Sequence, residues 1–200
     1  METDGRWGAQ KLLVERITRI TTGLLEKGEG VALRFINQNV DESRNLSYDQ
    51  VQSILGSMSW VPRGNTPLSE RLVSKVLEPL VYSEIRSGSL KRPLLISIIT
   101  DGAPNDSDTP GIVQAILDCG KALRLAKYPP ESTSRPFILP IPPLPFSAVS
   151  FANYLHDRAG VKFMIGQVGT SKSAAKFLAD IREEIRRNEE FGKVVYCTSG

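Results

Sequence analysis

The chain has 200 residues with a formal net charge of +3, 40% hydrophobic and 24% charged residues, a size and balance that suit one globular domain and exclude wholesale disorder. Lys and Arg are dispersed rather than gathered into a stripe or tail, which argues against nucleic acid or an anionic membrane as partner. No apolar run approaches the roughly 20 residues of a membrane helix, and the start METDGRWGAQ lacks a secretory apolar region, so a soluble cytoplasmic protein is expected, with a nuclear location fitting equally.

Residues 7 to 26 carry Leu13, Ile17, Ile20 and Leu24 at spacings of four and three, the pattern of one helix face, and Gly28-Glu29-Gly30 supplies the stop. VALRFIN at 31 to 37 is rich in Val, Phe and Ile and predicts a strand. A helix is expected over 47 to 57, capped by Ser47 with Val51, Ile54 and Leu55 inward, followed by a turn at PRGN, 62 to 65. Thr66-Pro67 opens the next helix as cap and first-turn proline, with Leu68, Leu72, Val73, Val76, Leu77 and Leu80 as its apolar face. Pro79 lies inside that pattern and predicts a kink or an early end.

LLISIIT at 94 to 100 is the strongest strand signal, because a continuous apolar run suits a strand buried on both faces of a parallel sheet. A helix from about Pro110 to Ala126 follows, with Ile112, Val113, Ile116, Leu117 and Leu123 on one side and Asp108 or Thr109 as cap. KFMIGQVG at 162 to 169 reads as a strand, 171 to 189 as an amphipathic helix burying Ala174, Phe177, Leu178, Ile181 and Ile185 before Gly192, and VVYC at 194 to 197 as the last strand. The alternation predicts an α/β class: a doubly wound, mostly parallel sheet with helices on both faces.

The segment from about 128 to 157 departs from this pattern, since residues 128 to 146 hold seven of the thirteen prolines. It reads as an inserted loop within a single domain spanning 1 to 200, in preference to a docking site for a proline-reading module. Cys119 and Cys197 are too few and too distant for a zinc framework and read as reduced thiols. His156 is the only histidine, which leaves little for Ser-His-Asp chemistry.

Ligands in open parallel sheets sit at the carboxyl ends of strands. After LLISIIT comes Asp101-Gly102-Ala103-Pro104-Asn105-Asp106, and before the proline-capped helix comes Gly64-Asn65-Thr66-Pro67. A strand-end carboxylate and a helix-start hydroxyl, backed by water, make an oxygen-rich environment suited to Mg²⁺ or Mn²⁺. Each signal alone is more often a cap or a turn, and it is their joint occurrence in strand-helix order that carries the reading.

GNTPL and ISIITDGAPND resemble the threonine loop and the strand-Thr-Asp-Gly loop of the von Willebrand factor type A (vWA) family, and KFMIGQVGTSKSAAKFLADI resembles its penultimate strand and final helix. Glu78-Pro79-Leu80 within its helix is similar to intracellular members. The resemblance covers most of residues 7 to 197 outside the proline-rich insertion. It implies a metal-ion-dependent adhesion site in which Thr66 and Asp101 bind the ion, Gly102 lets the loop approach, and Gly64, Asn65 and Asp106 support the loops. It also implies a non-catalytic module whose metal completes its coordination with an acidic side chain of a protein partner.

The family's central first strand ends in Asp-x-Ser-x-Ser, whereas this sequence starts at Met1 where that motif would have finished and carries no other copy. The resemblance therefore implies a missing first strand and a site short of three ligands that holds Mg²⁺ or Mn²⁺ weakly, with Asp4 or Glu2 as partial substitutes. It also implies neighbouring strands with unpaired backbone groups, open to aggregation or to completion by another polypeptide. Two other readings stand beside this one: a Mg²⁺-dependent hydrolase or phosphatase using Asp101, Asp106 and Asp108, and an inactive truncated domain. No phosphate-cradling glycine loop, histidine pair or nucleophile elbow supports catalysis.

Overall fold

Helix α1 spans Arg6–Leu24 and α2 spans Tyr48–Ser57, both close to their expected bounds. Serine has the reach to satisfy the open N–H groups of a first turn, and Ser47 does so for α2 in a full capping box: its hydroxyl accepts from Gln50 N–H while the Gln50 side chain accepts from Ser47 N–H. The molecule is a computed structural model that describes residues 5–40, 43–59, 67–90, 92–100, 108–126, 160–187 and 195–198.

Pro79 neither ends nor interrupts the helix that contains it. A continuous rod runs through α3 (Leu68–Leu72), a π-helical stretch (Val73–Tyr82) and α4 (Ser83–Ser87), closing on Gly88 in the left-handed conformation. Proline clashes with the carbonyl four residues back and donates nothing; the wider π turn accommodates it. The Pro79 carbonyl accepts from the Ser83 hydroxyl and from the Arg44 guanidinium. The wider turn also changes which residues face inward. Leu72, Leu77 and Val81 are buried at spacings of five and four, whereas Val73, expected inside from α-helical phasing, is 37% exposed.

Strand β1 (Leu94–Thr100) matches the expected run and pairs in parallel with β2 (Val161–Gln167), which pairs in parallel with β3 (Val195–Thr198). Leu94 stands opposite Val161, Ile96 opposite Phe163 and Ile98 opposite Ile165, so these side chains share one face. The fold is thus mixed α/β with a parallel sheet. The intervening helices are α5 (Asp108–Leu125) and α6 (Lys172–Arg186). Since α5 begins at Asp108, Asp108 and Thr109 stand in its first turn rather than ahead of it. The Ser171 hydroxyl caps α6 by accepting from Ala174 N–H.

The main core joins the rod, β1, β2, α5 and α6, with Leu77, Val81, Ile112, Val161 and Ile181 fully buried. All five residues expected on the inner face of α6 are buried. Cys119 lies in this core, where burial pushes its thiol up to about 12. A second, smaller cluster holds Leu46, Val51 and Leu55 against Val14, Val31, Leu33, Phe35 and Ile54.

Three expectations are corrected around that second cluster. VALRFIN forms no strand: its single β contact is an antiparallel bridge between Val31 and Leu46, because strand structure requires a partner along its length and residue composition alone supplies none. The face of α1 is poorly covered, with Ile20 51% and Leu24 42% exposed and Thr18 its one buried residue. Strand β1 is buried only at alternate positions, since Leu95, Ser97 and Ile99 remain partly exposed. The proline-rich insertion, His156, the PRGN turn and Gly192 lie outside the described residues.

Candidate functional site

The carboxyl ends of β1 and β2 are held by a small set of polar contacts. Thr100 is buried, and its carbonyl accepts from Val168 N–H at 2.8 Å. The buried Gln167 side chain donates to the carbonyls of Gly169 and Ser171, each at 3.0 Å, which fixes the turn from β2 into α6. Gly169 takes φ +85°, and a Cβ placed there would meet the Arg6 side chain at 3.0 Å. The left-handed conformation favours glycine at this position, and a Cβ would also make the Arg6 side chain give way slightly. The first turn of α1 therefore lies beside the strand ends.

All six residues expected to form or support a metal site, Gly64, Asn65, Thr66, Asp101, Gly102 and Asp106, lie outside the described residues, as do Glu2 and Asp4. Their immediate neighbours are described. Thr100, directly before Asp101, and Leu68, two residues after Thr66, line the same cavity. Among the described residues no group of three or more His, Cys, Asp or Glu could hold a metal ion. No helix among them is long and apolar enough to cross a membrane.

That cavity encloses about 720 Å³. One wall is the whole of β1. Residues 30–38 also line it, together with α1, through Trp7, Val14 and Leu24, and the rod, through Leu72, Val76 and Leu80. Its frame is tied together at several points. Trp7 packs edge-on to Phe35 with ring centres 6.5 Å apart, and Lys75 donates to the carbonyls of Phe35 and Gln38. Arg92, just before β1, pairs with Glu26 and Glu29.

The lining carries four cations, Arg34, Arg44, Arg71 and Lys75, and one carboxylate, Glu84. Hydrogen bonds from the Ser89 hydroxyl and then from Arg44 hold the Glu84 carboxyl below its usual value. Burial pushes Tyr82, on the rod, up to about 12. Sequence reasoning missed this groove, because no local pattern reports that two segments with strand composition lie apart. The nearest signal was Ser97, a polar residue within an otherwise apolar run.

Comparison of the chain with protein-family models, with curated proteins and with solved structures found no significant match.

Proposed function

We propose that the chain is a cytoplasmic, non-catalytic protein-interaction module of vWA type: a doubly wound α/β domain whose strand-end loops hold Mg²⁺ or Mn²⁺ weakly through Thr66 and Asp101. Gly64, Asn65, Gly102 and Asp106 shape the two loops, and a partner protein's acidic side chain completes the coordination. The observation that carries the reading is the common anchorage of the two loops. One leaves the buried end of β1 at Thr100 and the other enters the rod at buried Leu68, and both anchors border one cavity. Asp101 follows Thr100 directly and Thr66 precedes Leu68 by two residues, which supports a site shared by the two loops.

Hydroxyl and carboxylate oxygens are hard donors suited to these ions, and a two-ligand site leaves open positions for water and for a partner carboxylate. The test is thermal unfolding of the full chain with Mg²⁺ or Mn²⁺ and then with chelator. A ligand at 100 times its dissociation constant stabilises by about 2.7 kcal/mol, so the transition should rise with metal and lose that rise in Asp101→Ala and in Thr66→Ala. A transition indifferent to metal, or turnover of a generic phosphate ester with metal, would overturn the reading.

A further inference from the structure

From the edge of β1 that no described strand pairs with and the groove around it, we infer that the protein binds an extended peptide strand supplied by a separate polypeptide, apolar at its centre and acidic at its ends. The direction of the β1 backbone groups follows from its pairing. Leu94 N–H donates to Gly160 and Val168 N–H donates to Thr100, which fixes Leu94, Ile96, Ile98 and Thr100 as the residues whose backbone groups face β2. Those of Leu95, Ser97 and Ile99 face the groove. Of these three N–H and three C=O groups, only the Ile99 carbonyl has a partner among the described residues, the Gln10 side-chain amide at 3.3 Å.

Five groups without a partner among the described residues, on alternate residues of a seven-residue strand, are a template for one more strand, and at about 3.3 Å per residue the strand is about 23 Å long. The groove decides what that strand is. Its sides are mostly apolar side chains of α1 and of the rod, with Gln10, Thr21, Arg71 and Lys75 among them, so both side-chain faces of an inserted strand meet largely apolar surface and its centre is apolar and β-branched. The four cations against one carboxylate in the lining favour a net acidic strand, and its apolar centre leaves the ends for those acidic residues. Arg71 adds to this, because its Nε is buried without a hydrogen-bond partner among the described residues.

A second copy of the chain is a poor occupant. Its own β1 is recessed between helices in the same way, β2 is already paired on both edges, and β3, the other edge of the described sheet, is only four residues long against the seven of β1. Two recessed edges cannot meet.

The test follows amide hydrogen exchange by NMR on the full chain, in chelator so that metal binding plays no part. The probe is a synthetic peptide of the length of β1, with Val and Ile at its centre and Asp at both ends. The expected result is at least ~10-fold slower exchange at the Leu95, Ser97 and Ile99 amides, while Leu94, Ile96, Ile98 and Thr100, already paired with β2, change little. Ser97→Pro removes one groove-facing donor at an edge position where proline is tolerated, and should abolish binding with the circular dichroism spectrum unchanged. If that variant fails to fold, Arg71→Glu serves instead: it should weaken the Asp-ended peptide and favour a Lys-ended one. Unchanged exchange at the three odd-numbered amides, or equal binding by the folded variant, would overturn the inference. Protection without peptide would also overturn it, by assigning the edge to a second copy if it grows with protein concentration and to the chain's own residues if it does not. Failure here leaves the metal reading standing, since that rests on metal-dependent unfolding.

Discussion

The two sides of the groove differ in how completely they are packed. On one side the rod, β1, β2, α5 and α6 enclose a continuous core in which Phe163, Ile165, Ile181 and Leu77 are essentially inaccessible. On the other side α1, α2 and residues 31 to 35 gather around only Leu46, Val51 and Leu55, and α1 leaves Ile20 and Leu24 exposed. Helix α1 is the less amphipathic and α6 the more, and one side has a strand ladder to pack on where the other has, among the described residues, a single bridge at Val31. Helix amphipathicity becomes burial only where a sheet supplies the opposing surface.

That contrast can be broken by deleting side chains on either side. Phe163→Ala in the main core should lower stability by about 3 to 5 kcal/mol in urea unfolding, through lost burial and the cavity left behind. Leu55→Ala in the small cluster should cost about 2 kcal/mol, at the lower end for its kind, because a thin open cluster can collapse onto the gap. Equal losses would show that the two sides are packed alike.

Smaller effects sharpen the account at particular joints. Gly169→Ala should cost about 1 to 2 kcal/mol, since its φ of +85° and the nearby Arg6 side chain both oppose a Cβ. Thermal unfolding checks this, and an unchanged midpoint would mean that the strand-end turn is not held as described. Ser47→Ala removes one half of the α2 capping box and should cost about 1 kcal/mol, with Ser47→Asp restoring most of it.

The smallest effect is electrostatic. The Glu84 carboxyl lies below its usual 4.5 because of Ser89 and Arg44, so its contribution is present above that value and is lost as pH falls through the lower folded one. Arg44→Ala should flatten this acid-side dependence in unfolding measured against pH. The change should stay below about 1 kcal/mol, because both side chains are partly exposed.

The helices and strands bounded by local chemistry were legible in the sequence. Ser47 declared α2, the four-three spacing declared α1 and α6, and the apolar run LLISIIT declared β1 to the residue. What was not legible depends on partners or on helix geometry. VALRFIN has strand composition but no ladder, and the inward face of the rod follows the π turns around Pro79, which exchange Val73 for Val81. For the candidate site, the sequence supplied the residue types and their order, Thr66 before a helix and Asp101 after a strand. The structure supplies the anchors beside them, Leu68 and Thr100.

Manganese-induced broadening of amide resonances tests the proposed metal site most directly. Substoichiometric Mn²⁺ should broaden Leu68 and Thr100 before α2 or the far end of α5, and Asp101→Ala should remove the effect. Broadening that is uniform, that begins elsewhere, or that persists in Asp101→Ala would contradict a metal site between these two loops.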